Sequence, residues 1–224
     1  MITLYFNRFD CKNPERQKEY EYCYQKNVEN QLIDKIVLVK SESRPSYEQI
    51  FRMMKPDSIN IIANSDIYFD DTLQFVNIIT EREFWALTRW EEVLVKCPDC
   101  KGVGRITETD IRETVRKCEK CENGKVWKIM FFEERHPGVP PKFSQDVWIC
   151  RGAPQINGAN FELGVPGCDN KITYVAHNSG MIVRNPSYTI KAIHVHANEW
   201  RDDERNKAKL NPPYKWVIPT TLRR

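Results

Sequence analysis

Ile59–Ala63 reads Ile-Asn-Ile-Ile-Ala, a short apolar run rich in β-branched residues. A run of this kind suits a strand buried on both faces, so the chain must lay other structure against each side of its sheet. Polar groups follow at once, with Asn64, Asp66, Asp70 and Asp71 inside a single short stretch. Carboxylates at the carboxyl end of a buried strand stand where open α/β folds bind ligands. Crowded oxygen ligands suit Mg²⁺ or Mn²⁺, which in turn would hold the phosphates of a nucleotide. The plainer reading is a solvated turn, with Asp70 or Asp71 capping a helix over 72–79. Spacing alone leaves both open.

The segments before this strand alternate. Residues 2–6 have the make-up of a first strand, and a polar loop follows over 7–14. Residues 15–32 place Tyr20, Cys23, Tyr24, Val28 and Leu32 at three- and four-residue steps, which predicts a helix. A strand at Lys35–Val39 and a short helix over 46–54 come next, the latter capped by Ser46 with Gln49 three residues on and ended by Pro56. Such alternation predicts βαβ units and a mainly parallel sheet with right-handed crossovers. Further strands are expected at 84–89, 129–132, 147–150, 181–184 and 189–196. A helix is expected over 170–179, ended by Gly180, before a charged tail.

A chain of 224 residues is long enough for one domain with a real core. The formal charge of +3 is a mild basic excess that permits nucleic acid as a partner without requiring it. No apolar run approaches a membrane span, and the first residues, Met-Ile-Thr-Leu-Tyr-Phe, lack the basic flank and cleavage site of a leader. The expected location is therefore the cytoplasm, a host's cytoplasm if the chain is viral.

The cysteines agree with a reducing compartment. Of the eight, Cys97, Cys100, Cys118 and Cys121 form two Cys-x-x-Cys pairs, and the other four are scattered. Two thiolates on each of two short turns make a closed tetrahedral shell for a structural Zn²⁺, with no open position for catalysis. Gly102, Gly104 and Gly124 allow tight turns beside the pairs. The run Cys97-Pro-Asp-Cys-Lys-Gly-Val-Gly resembles the zinc-binding repeats of DnaJ-type chaperones over those eight residues. Between the pairs, Arg105, Arg112, Arg116 and Lys117 are offset by Glu108, Asp110 and Glu113. This is either a solvated hairpin or a basic surface for a phosphate backbone.

Towards the C-terminus two further acids and two histidines become candidates. Asp169 lies in Gly-Cys-Asp-Asn-Lys just ahead of a predicted helix, as a helix-terminal carboxylate or as a general base. Asp146 opens a strand in Ser-Gln-Asp-Val-Trp-Ile. His194 and His196 stand two apart on a strand and so share a face, as a polar pair or as donors completing a metal site begun by Asp66.

The ordered set of Asn-Ser-Asp-Ile-Tyr-Phe-Asp, Ala-Leu-Thr-Arg-Trp, Ser-Gln-Asp-Val-Trp-Ile, Gly-Cys-Asp-Asn-Lys and Ile-His-Val-His resembles a glycosyltransferase of the GT-A type. The likeness covers nearly the whole chain apart from residues 90–127. It implies an α/β, GT-A-like (Rossmann-like), mainly parallel sheet flanked by helices over 1–90 and 128–224, with a zinc-ribbon-like hairpin inserted at 91–127. In that superfamily an Asp-x-Asp motif binds Mn²⁺ or Mg²⁺ and the diphosphate of a nucleotide sugar. Asn64-Ser-Asp66 stands in its place, with Asn64 departing from the pattern and Asp66 keeping the second position. By the same resemblance Asp169 is the base of an inverting hexosyl- or pentosyl-transfer, and His194 or His196 is the late metal ligand. Thr88, Arg89 and Asp146 line the donor side.

The basic balance points to a polymer acceptor such as DNA carrying hydroxylated bases, as in viral DNA modification. A cell-surface saccharide or a protein is the other acceptor class. A different kind of function also remains, a zinc-ribbon nucleic-acid-binding module on a non-catalytic α/β domain.

Overall fold

The computed structural model describes residues 1–7, 11–39, 44–110, 112–195 and 209–222, with backbone alone over 105–116. The chain opens with β1 (Ile2–Asn7), α1 (Pro14–Glu29), β2 (Lys35–Val39), α2 (Tyr47–Met53), β3 (Ile59–Ala63) and β4 (Ile67–Phe69). A 3-10 helix (Asp71–Ile78) leads to the long β5 (Glu83–Lys96), the hairpin β6 (Arg105–Asp110) and β7 (Arg112–Lys117), and the returning β8 (Lys125–Phe131). Then come α3 (Phe132–Arg135), β9 (Gln145–Arg151), α4 (Cys168–Asn178), β10 (Ile182–Arg184) and β11 (Ala192–Val195). Among the described residues no helix is long and apolar enough to cross a membrane.

The main sheet runs β2-β1-β3-β9-β5-β11-β4, with β8 and β10 also paired to β5. All five residues of β3 are buried, as their composition requires of an interior strand. Alternate side chains serve two cores. Leu4, Phe6, Ile61, Trp85 and Ile149 pack on the side of α1, while Tyr5, Ile62, Phe84, Trp148 and Cys150 pack against α2 and α4. The polar member of β3, Asn60, is fully buried and donates to the carbonyls of Lys55 (2.9 Å) and Gly152 (2.8 Å). Its amide thereby ties the start of the strand to the end of β9.

The expected mainly parallel, Rossmann-like sheet flanked by helices is not what forms. β1–β2, β1–β3, β5–β10 and β5–β11 are parallel, but β3–β9, β5–β9, β5–β8 and β4–β11 are antiparallel. With the β6–β7 hairpin, antiparallel pairings outnumber parallel ones among the described strands. The sheet is mixed and its helices are few. The reason lies in β9, which enters between β3 and β5 and runs against both, so the βαβ pattern of the first residues does not continue.

Local signals fared better. Ser46 and Gln49 form a reciprocal capping box on α2, with Gln49 N–H to Ser46 Oγ at 3.2 Å. Asp70 caps the following helix through the Thr72 N–H at 3.0 Å, but that helix is 3-10 rather than α. β5 extends to Lys96, well past the expected 89. Its ladder with β8, from Trp90↔Phe131 to Lys96↔Lys125, carries the cysteine hairpin outward.

Candidate functional site

β3 delivers Asn64–Asp66 to one edge of the sheet, and the start of β9 meets it there. Asn64 Nδ2 donates to Asp146 Oδ1 at 2.8 Å, and the Asn64 N–H donates to the Asp146 carbonyl at 3.2 Å. Asp66 turns toward β11 and α1. Its Oδ2 accepts from Arg16 and lies 3.1 Å from His194 Nε2, while its carbonyl takes the Val195 N–H at 2.9 Å. Oδ1 of the same carboxylate is buried and has no hydrogen-bond partner among the described residues.

From Asp66 a continuous chain of charges runs along the edge. His194 Nδ1 sits 3.0 Å from Glu91 Oε2, and Glu91 Oε1 accepts from Arg89 Nε at 2.6 Å. Arg89 Nη1 reaches Asp146 Oδ2 at 3.1 Å, which closes the path back to Asn64. His136 Nε2 approaches Glu91 Oε1 at 3.3 Å from outside. Arg89 and Glu91 are two apart on β5 and therefore share a face, and Glu91 is in register with His194 across the parallel β5–β11 ladder.

The electrostatics follow from this path. Burial would raise the carboxyls of Asp66 and Glu91. The charges of His194 with Arg16 and Arg89 on Asp66, and of His194 with Arg89 on Glu91, override burial and hold both well below the usual carboxylate range. Burial and Arg89 would likewise lower His194, but its two carboxylate neighbours raise it to about 9. The ring is thus an imidazolium donating from both nitrogens. Arg16, Arg89 and His194 thus face Glu19, Asp66, Glu91 and Asp146.

Asp169 joins from α4. It occupies the first turn of α4, whose N-cap Gly167 has φ +86, a conformation that favours glycine. Burial first, and then the charge of Asp146, raise its carboxyl to about 6, although the nearby backbone N–H groups of Asn170, of Asp169 itself and of Gln145 act to lower it. Asp146 therefore touches both halves of the site, through Arg89 toward Asp66 and through space toward Asp169. Asp66 and Asp169 stand at one edge of the sheet, joined through the same residue.

No family model matches the chain. No curated protein and no solved structure matches it either. Its function is to be argued from the residues themselves.

The remaining candidates divide. Arg89 and Asp146 are in the charge path. Thr88 is fully buried, taking Asn185 Nδ2 at 2.9 Å and donating to the Pro141 carbonyl at 2.9 Å, so it anchors the scaffold rather than lining a cleft. His196 lies outside the described residues. His194, with each ring nitrogen on a carboxylate, is arranged as a cationic link rather than as a metal ligand. Arg16 and Glu91 were not singled out in the sequence. Glu91 shares the two-residue step of Arg89, and that spacing could have found it. Arg16 gave no comparable sign beyond Glu19 three residues on.

A separate cluster gathers Cys97, Cys100, Cys118 and Cys121, whose sulfurs all lie within 4.8 Å of one another. Zinc–sulfur bonds of about 2.3 Å imply tetrahedral edges of about 3.8 Å. The Cys97–Cys118 and Cys100–Cys121 separations are 3.9 and 3.5 Å. Gly104 N–H donates to Cys100 Sγ at 3.2 Å, as thiolate ligands commonly require. A Cβ on Gly124 would come within 2.1 Å of the Gly102 carbonyl oxygen, so only glycine lets the two turns meet. These four thiols fit a structural ion such as Zn²⁺. The cluster is built on the β5–β8 extension, away from the Asp66–Asp169 edge.

Proposed function

We propose that the chain is a glycosyltransferase, moving a sugar from a nucleotide diphosphate donor to an acceptor hydroxyl with inversion. The observation that carries this reading is the pairing of two unlike aspartates through Asp146. Asp66 is fully ionised, with a buried oxygen lacking a partner. Asp169 is raised to about 6. Pairs of acids whose surroundings push them apart mark acid–base sites.

Each group has a task in the transfer. Asp169 is basic enough to accept a proton and mostly ionised at neutral pH. It would remove the acceptor hydroxyl proton as that oxygen bonds to the anomeric carbon. The carbon–oxygen bond to the diphosphate breaks in the same step, on the opposite face, and the diphosphate leaves with the electron pair. Asp66 Oδ1, buried and with no hydrogen-bond partner among the described residues, fits a hard cation. Mg²⁺ or Mn²⁺ typically binds through one or two carboxylates plus substrate phosphates, and would supply charge neutralisation to the leaving group. Arg16 and His194 fix the Asp66 carboxylate so that Oδ1 is the oxygen left available. Arg89 holds Asp146 and Glu91 in place.

A thermal-shift screen of UDP- and GDP-sugars, each with and without Mn²⁺, tests this reading. Stabilisation by one nucleotide sugar, larger with Mn²⁺, is expected. No shift with any donor, alongside salt-dependent binding of DNA or RNA, would instead favour a non-catalytic zinc-ribbon binding module.

A further inference from the structure

The C-terminal segment 209–222 runs along the wall that carries Asp169. Leu210 N–H donates to the Pro166 carbonyl at 2.9 Å, and Lys215 N–H to the Asn170 carbonyl at 3.0 Å. Thr173 Oγ1 donates to the Lys215 carbonyl at 2.7 Å, and Asn185 Nδ2 to the Val217 carbonyl at 3.0 Å. Trp216 is therefore pinned from both sides, next to the residue that follows Asp169. Phe143 arrives from the other direction, two residues ahead of Gln145, whose backbone N–H is near enough to Asp169 to act on its carboxyl.

These two aromatic side chains meet in the open. Phe143 is 45% exposed and Trp216 52% exposed, with ring centroids 6.1 Å apart and planes at 78°. The Lys142 ammonium lies 5.5 Å from one ring and 5.7 Å from the other. Two large rings held side by side and half in water offer an open aromatic surface. On the transferase reading the acceptor comes to this side of α4, because its hydroxyl has to reach Asp169.

We propose, on the transferase reading above, that Phe143, Trp216 and Lys142 form the acceptor subsite, and that the acceptor is a saccharide. A pyranose presents an apolar C–H face that lies flat on an open aromatic ring, with hydroxyls at its rim for the lysine ammonium. An extruded nucleic-acid base is instead received in a snug pocket between side chains. Two edge-to-face rings at the surface provide no such enclosure. Their perpendicular planes also give no run of parallel faces on which successive bases could stack.

Isothermal titration of the full chain, without donor, tests the assignment. The probes are a panel of neutral hexose and N-acetylhexosamine oligosaccharides and, separately, a single-stranded oligonucleotide carrying 5-hydroxymethylcytosine. A saccharide is expected to bind, with affinity falling about tenfold or more in Trp216→Ala and in Phe143→Ala and largely restored in Trp216→Phe. Failure of the whole panel to bind, equal affinity in Trp216→Ala, or binding of the oligonucleotide alone with loss in Trp216→Ala would each overturn it. Because no nucleotide sugar is present, this result stands apart from the donor screen, and either can fail without the other.

Discussion

Asp66 and Asp169 are the same residue type at one sheet edge, and burial pushes both carboxyls upward. Their partners decide the outcome. Asp66 meets Arg16 and His194, whereas Asp169 meets nearby backbone N–H groups and the repelling charge of Asp146. If Asp169 is the base, transfer should rise with pH through about 6 and then level, as a pH–rate profile at saturating donor would show. A flat profile across that range would remove the base assignment. His194 gives a prediction about stability. Its folded value of about 9 lies above the unfolded reference of about 6.5. Its contribution is therefore fully present below about 6.5 and lost as pH rises through 9. Asp66 and Glu91, held low, contribute in the opposite sense, and theirs is lost as pH falls below about 4. Replacing His194 by Ala removes the cation shared by two carboxylates that then keep Arg16 and Arg89, and should cost about 1–3 kcal/mol, read by denaturant melts at pH 7. The variant should also lose the alkaline slope. The aspartates were visible in the sequence because they sit in short motifs. The Arg16–Asp66 contact was not, since it joins residues far apart that no periodicity links.

Among the elements, those with local causes were the most legible. β2 and β3 fall on the expected residues, and the Ser46 capping box was readable from its spacing. Ser46→Ala should lower stability by about 1 kcal/mol through loss of that cap, seen as a lower melting midpoint without loss of fold. The far half of β5 was hidden because residues 90–96 mix charged and apolar side chains, and their pairing partner β8 lies beyond the cysteine hairpin. β4 is only three residues long and follows an acidic turn. Its place is set by Asn27 of α1, which donates to the Ile67 carbonyl at 2.9 Å and accepts the Phe69 N–H at 3.2 Å. The cysteine spacing, by contrast, specified its own geometry. If the four thiols hold Zn²⁺, a chelator should release the amides of residues 97–125 to fast hydrogen exchange while those of β3 and β9 stay protected. Equal loss of protection in both regions would show that the metal holds the main sheet as well.

For the molecule as a whole, the expected parallel sheet failed at a definite place. Apolar runs such as 59–63 and 147–150 look alike whichever direction they run, so composition found the strands but not the antiparallel return of β9 between β3 and β5. That return is what brings Asp146 beside Asn64, and so what joins the Asp66 side of the site to Asp169. On the proposed transferase reading these two aspartates divide one reaction, Asp66 serving the donor diphosphate and Asp169 the acceptor proton. The direct measurement is donor affinity and turnover, by titration and by release of nucleoside diphosphate, for the wild type, Asp66→Asn and Asp169→Asn. Asp169→Asn should bind the nucleotide sugar as the wild type does while turnover falls about 10²- to 10⁴-fold, and Asp66→Asn should lose donor binding. Wild-type turnover in Asp169→Asn, or undiminished donor affinity in Asp66→Asn, would contradict it.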